Sequence, residues 1–173
     1  IKQMAISLIE IYKERQKIKG FKFIRDEELE KRFADAFGFT ETPDQTKAIY
    51  DIDKDMESDR VMERLICGDV GFGKTEVAMR AIFKAVYNGK QVVFLCPTTI
   101  LSEQHEYTAK SRLEPFGVKV EVLNRFKTPA QVKNILSRLK EGRIDVLIGT
   151  HKLLGEGVEF KDLGLLVLDE EQR

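Results

Sequence analysis

Apolar side chains recur along this chain in two rhythms, and the rhythm changes near residue 65. Over residues 1–19, Ile1, Met4, Ala5, Leu8, Ile11, Tyr12 and Ile18 stand between charged residues at helical spacing, and Gly20 follows. That pattern predicts an amphipathic helix with a glycine stop. It starts without a cap or leader, as though cut from a longer polypeptide. A second helix is predicted over residues 26–37, with Leu29, Phe33 and Phe37 on one face and Gly38 ending it. A third opens at Thr42-Pro43, a capping residue before proline at the first helical position, and turns Ala48, Ile49, Ile52 and Met56 inward.

Beyond that point short apolar runs alternate with helical patterns. Leu65-Ile66-Cys67 reads as a buried strand, and residues 76–86 as a helix. Residues 91–96 form a strand stopped by Pro97, followed by a helix over 100–113 and a strand over 119–123. Thr128-Pro129 opens a helix with Val132, Ile135, Leu136 and Leu139 inward, and residues 145–148 and 165–168 are further apolar strands. Alternation of this kind predicts an α/β fold with a mostly parallel, doubly wound sheet. No repeat, low-complexity tract or internal linker interrupts it.

Composition narrows the function classes. With 173 residues, 42% hydrophobic and 34% charged, the chain has the size and balance of one soluble globular domain. Lys+Arg and Asp+Glu both number 29, so no global field draws in nucleic acid and any DNA site must be a local patch. No apolar stretch approaches the roughly 20 residues of a membrane span, and the N-terminus lacks a signal-peptide layout. Cys67 and Cys96 each end an apolar run and read as small buried hydrophobes, which suits a reducing cytoplasm.

The candidate chemistry centres on Gly68-Asp69-Val70-Gly71-Phe72-Gly73-Lys74-Thr75, two glycines with four residues between them and then Lys-Thr. This is a phosphate-binding loop pattern. Glycine permits close backbone approach, and the turning backbone aims N–H groups at one phosphate. Lys74 supplies a point charge for the β- and γ-phosphates, and the Thr75 hydroxyl a ligand for Mg²⁺. The following helix, whose first turn includes Glu76, points its N-terminus at the anion. Leu165-Leu166-Val167-Leu168-Asp169-Glu170 is an apolar strand ending in two carboxylates. Beside a phosphate loop, Asp169 is expected to hold Mg²⁺ through water and Glu170 to activate the attacking water.

The order of the loop, Pro97-Thr98-Thr99-Ile100-Leu101-Ser102-Glu103-Gln104, Gly149-Thr150-His151 and Asp169-Glu170-Glu171-Gln172 resembles the successive motifs of superfamily 2 helicases. Within that group the chain resembles the family of bacterial transcription-repair coupling factors, with RecG-type branch-migration helicases as the alternative. Phe72 and Glu171-Gln172 favour the former. The resemblance implies a RecA-like three-layer ATPase lobe over residues 61–173, preceded by a helical extension over 1–60. It implies ATP and Mg²⁺ as cofactors and double-stranded DNA backbone as partner. RNA polymerase and repair proteins would be met through parts of a longer parent. It adds Gln172 to Lys74 and Glu170 as catalytic candidates. It also identifies Phe39-Thr40-Glu41-Thr42-Pro43-Asp44-Gln45 as a Gln motif, in which the Gln45 amide reads adenine and Phe39 stacks on it. The lobe is expected to be incomplete after the Asp-Glu motif, with the third-motif strand and arginine fingers elsewhere, and so to hydrolyse ATP poorly alone.

DNA contacts are less marked in the residues. Thr98 and Thr99 precede a helix and are placed to take a phosphate. Residues 124–143 hold Arg125, Lys127, Lys133, Arg138, Lys140 and Arg143 against Glu141, a local basic excess. The resemblance favours Thr98, Thr99, Arg125, Thr150 and His151 as backbone contacts. His105 and His151 read as hydrogen-bonding residues, since no Cys/His cluster accompanies them. Two other classes stay open. A phosphate-loop kinase or GTPase is disfavoured by the lack of an Asn-Lys-x-Asp guanine reader, and a non-catalytic nucleotide-binding module would lack turnover.

Overall fold

The computed structural model describes residues 2–68 and 73–169. Three helices come first: α1 (Lys2–Lys17), α2 (Glu27–Asp35) and α3 (Pro43–Met56). Then follow α4 (Lys74–Tyr87), β1 (Gln91–Leu95), α5 (Thr99–Leu113), β2 (Val120–Leu123), α6 (Pro129–Lys140), β3 (Val146–Gly149) and β4 (Leu163–Leu168), with short 3-10 turns at Glu114–Phe116 and His151–Leu154.

Helix starts follow local chemistry. Asp26 caps α2 by accepting from the Leu29 N–H. Thr42 and Thr128 open α3 and α6 with reciprocal capping boxes to Gln45 and Gln131, each with proline at the next position. These boxes satisfy otherwise orphaned first-turn donors.

The four strands form one sheet in the order β2-β3-β1-β4, with every pairing parallel. Strand side chains alternate between its two faces. Val92, Phe94, Val146 and Ile148 join α2, α3, α4 and α5 in the larger core, while Val93, Leu95 and Leu147 meet Ile135 and Leu139 of α6 on the other face. The result is the three-layer, doubly covered α/β arrangement the alternation predicts. The helical segment before residue 61 shares this core: Phe33 of α2 stacks on Phe83 of α4 at 4.2 Å, and Ile52 and Met56 of α3 are buried.

Two expectations are corrected. Leu65-Ile66-Cys67 is not a strand. It runs irregularly, with Leu65 70% exposed, and pairs with no strand among the described residues. Cys67 is accordingly exposed rather than buried, whereas Cys96, one residue past β1, is buried. On α1 the apolar residues Leu8, Ile9, Ile11 and Tyr12 are exposed.

Candidate nucleotide-binding site

Because all four strands are parallel, their carboxyl ends share one edge, where open α/β sheets bind ligands. Leu123, Gly149, Leu95 and Leu168 lie in one register row across the sheet. The residues just beyond that row are Asn124 and Arg125, Thr150 and His151, Cys96 to Thr98, and Asp169. The fold thus brings the separate motifs to one rim.

At this rim α4 begins. Its N-cap, Gly73, has φ 75°, a left-handed conformation suited to glycine. A side chain there would also collide with the Gln45 amide. Lys74 is exposed, and its Nζ donates to the Gly68 carbonyl oxygen at 2.6 Å, spanning the ends of the loop. Thr75 is half-buried in the first turn. The predicted loop residues Asp69, Val70, Gly71 and Phe72 lie outside the described residues, as do Glu170, Glu171 and Gln172.

Glu76 is buried, and its carboxylate is held by one cation of its own helix and one of α5. It accepts from Arg80 Nε at 2.6 Å and from Arg112 Nε and Nη2 at 2.9 and 2.5 Å. Arg80 reaches on to Glu41 Oε1 at 2.5 Å, and this hydrogen bond holds the Glu41 carboxyl below its ordinary value. Arg112 also donates to the Phe33 carbonyl and lies over the Phe33 ring at 3.9 Å. Sequence reasoning missed this network; its only local signal is the i,i+4 spacing of Glu76 and Arg80.

The expected base-reading residues sit beside the loop. Gln45 is buried, and its Oε1 accepts from the Thr42 N–H at 2.8 Å while Nε2 donates to the Gly73 carbonyl at 3.4 Å. Phe39 is 77% exposed and meets Phe37 edge-on at 5.4 Å. Phe37 in turn lies under the Arg80 and Arg112 guanidinium groups at 5.9 and 5.6 Å.

Asp169 follows β4, and its N–H donates to the Leu95 carbonyl of β1 at 2.9 Å. Its Oδ2 lies 2.7 Å from His105 Nε2, on α5. Cys96 lies close enough to feel that carboxylate: burial first, then the negative charge, pushes its thiol up to about 11, so it is no nucleophile. The sequence reading assigned His105 a hydrogen-bonding part; its partner, 64 residues away, had no sequence signal.

Thr98 is exposed and N-caps α5, its Oγ1 accepting from the Leu101 N–H at 3.2 Å; Thr99 and Thr150 are half-buried, and His151 is exposed. The guanidinium of Arg125 lies 5.2 Å from the neighbouring Phe126 ring. Of the six basic residues over 124–143, three are drawn into ion pairs: Arg138 with Glu121, Lys140 with Glu159 and Arg143 with Glu141. Arg125, Lys127 and Lys133 make no ion pair among the described residues.

A parallel sheet with its motif residues gathered beside a glycine-capped helix is the framework of a nucleotide-binding helicase lobe. The DEAD/DEAH box helicase family profile matches residues 42–173, and the chain belongs to that family. Over all 173 residues it is 54% identical to the transcription-repair-coupling factor of Borreliella burgdorferi and 49% identical to that of Bacillus subtilis. The chain spans 15% of the length of these relatives. A solved structure of RecG bound to a three-way DNA junction superposes with TM-score 0.88 at 40% identity, over 95% of this chain and 22% of that one. Among the described residues, no helix is long and apolar enough to cross a membrane.

Proposed function

We propose that this chain is the ATP-binding lobe of an ATP-dependent double-stranded DNA translocase acting in transcription-coupled repair, where stalled RNA polymerase is removed. What supports this reading is the placement of Gly73, Lys74 and Thr75 at the start of α4, which packs against the β4 strand that Asp169 follows, in a chain about half identical to transcription-repair-coupling factors.

In this reading the loop backbone and Lys74 take the phosphates, and Gln45 and Phe39 take the adenine. The donors available for a metal are a hydroxyl, Thr75, and a carboxylate, Asp169, the oxygen set a hard divalent cation such as Mg²⁺ prefers. They fit, and α4 packs against β4, the elements that carry them. Bound there, Mg²⁺ supplies charge neutralisation on the phosphates. Lys74 gives one ammonium proton to the Gly68 carbonyl and has two more to offer an anion. Glu170 orients and deprotonates the attacking water, and Gln172 completes the catalytic set. Thr98, Thr99, Arg125, Thr150 and His151 grip DNA backbone from the same rim.

The test is titration of a fluorescent ATP analogue with Mg²⁺ into wild type and Lys74→Ala. A loss of about 2 kcal/mol, some thirtyfold in affinity, is expected for removing a charge-assisted phosphate contact, with the melting curve unchanged because Lys74 is exposed. Equal affinity removes Lys74 from the site. Anisotropy with linear duplex and with a three-way junction then separates the two relatives. Comparable binding to both favours the translocase reading, and strong junction preference favours a RecG-type lobe.

A further inference from the structure

Asp169 is held from two directions. Its backbone is tied to β1 through the Leu95 carbonyl, and its side chain to α5 through His105. A carboxylate oxygen accepts, so the 2.7 Å contact requires a proton on His105 Nε2. The imidazole is itself fixed: it lies 4.6 Å from the Phe94 ring, centroid to centroid, and its side chain is only 12% exposed. No other hydrogen bond among the described residues reaches this carboxylate. With Oδ2 engaged, the torsion of the carboxylate is set and Oδ1 is the oxygen left to face a ligand.

We propose that His105 is a positioning residue for the metal-holding carboxylate: its Nε2–H orients Asp169 so that Mg²⁺-nucleotide is met by a preset oxygen rather than a rotating one. This rests on the reading of Asp169 as the Mg²⁺ ligand. The physical reason is general, since groups that hydrogen-bond a metal-binding carboxylate fix its orientation, and losing one typically costs about 10- to 100-fold in metal affinity.

Packing and hydrogen bonding are separable at this position. His105→Phe keeps a ring against Phe94 and removes the donor. His105→Gln removes the ring and keeps an N–H at similar reach. The measurement is the Mg²⁺ concentration giving half-maximal enhancement of binding of a fluorescent, non-hydrolysable ATP analogue, with affinity in EDTA as the reference. For His105→Phe the half-saturating Mg²⁺ should rise about tenfold with the EDTA affinity unchanged, and His105→Gln should restore most of the loss. Unchanged Mg²⁺ dependence in His105→Phe overturns the proposal, as does an equal rise in both variants, since the N–H kept in His105→Gln would then have recovered nothing. If wild type itself shows no Mg²⁺ enhancement, the nucleotide-site reading fails instead. Wild type also carries a spectroscopic test. The chain has two histidines, so long-range ¹H–¹⁵N spectra can identify His105 by comparison with either variant. An Nε2–H tautomer whose signal moves on adding Mg²⁺ and nucleotide is expected; an Nδ1–H tautomer contradicts the hydrogen bond.

Discussion

The side-chain amide of Gln45 donates to the main-chain carbonyl of Gly73 at 3.4 Å, fastening the expected base reader to the residue on which the phosphate loop closes. The same amide's oxygen completes the capping box of α3. One side chain therefore joins the start of α3 to the start of α4.

Substitution at Gln45 tests both contacts. Gln45→Ala loses the capping box and the tie to Gly73, and should cost about 1 kcal/mol of stability along with ATP-over-GTP discrimination. Gln45→Glu keeps an acceptor for the Thr42 N–H but loses the donor. It should melt below wild type as well, because a buried carboxylate would face the Gly73 carbonyl, and still discriminate poorly. Urea titrations and competition of each nucleotide against a labelled analogue check both. An unchanged ATP/GTP ratio in the two variants would move adenine recognition to another residue.

Among the described residues Lys84 is the most deeply set charged one, at 1% exposure, and its Nζ lies 2.9 Å from Asp53, 2.7 Å from Glu57 and 3.1 Å from Glu30. Burial alone would lower its ammonium, but hydrogen bonding to Asp53 and Glu57 outweighs this and holds it above its ordinary value. Lys84→Met would leave Glu30, Asp53 and Glu57 with Arg25 as their remaining cation among the described residues, and should destabilise by about 3 kcal/mol at neutral pH. A urea midpoint within error of wild type would show that the cluster contributes little. The folded lysine being raised, its contribution is complete below the unfolded lysine value and fades only as pH climbs through the folded one.

The Glu41–Arg80 pair gives the opposite pH signature. Arg80 depresses the Glu41 carboxyl, so as pH falls the unfolded chain takes up its proton first. The stabilisation is present above the ordinary glutamate range and lost as pH falls through the depressed value. Glu41→Gln should therefore melt about 1 kcal/mol weaker at pH 7, with the gap closing in acid. A gap independent of pH would assign the effect to packing.

DNA binding should be weaker than a count of basic residues implies. With Arg138, Lys140 and Arg143 paired internally, Arg125, Lys127 and Lys133 remain of the six. At about 0.9 per neutralised phosphate, the log–log salt slope for random duplex should lie near −2.7 rather than −5.4. Anisotropy at several salt concentrations measures it. A slope near the larger value would mean that the ion pairs open on DNA.

What the sequence determined by itself is what a few neighbouring residues can specify. The capping boxes at Thr42 and Thr128 are complete within four residues, and the strand faces follow from alternation, so helix starts and the two-sided sheet were legible. The loop pattern is local in the same way, its spacing being written in eight consecutive residues. Leu65-Ile66-Cys67 shows the limit: an apolar run becomes a strand only when it pairs with another strand, and among the described residues it pairs with none. Only the tertiary structure decided which distant side chains meet. The parallel crossovers bring β4 beside β1 and lay α5 over the same rim, and that alone joins His105 to Asp169 across 64 residues and Arg112 to Glu76 across 36. Hydrogen bonds and ion pairs act only over a few ångströms, so their partners are set by how the elements stack.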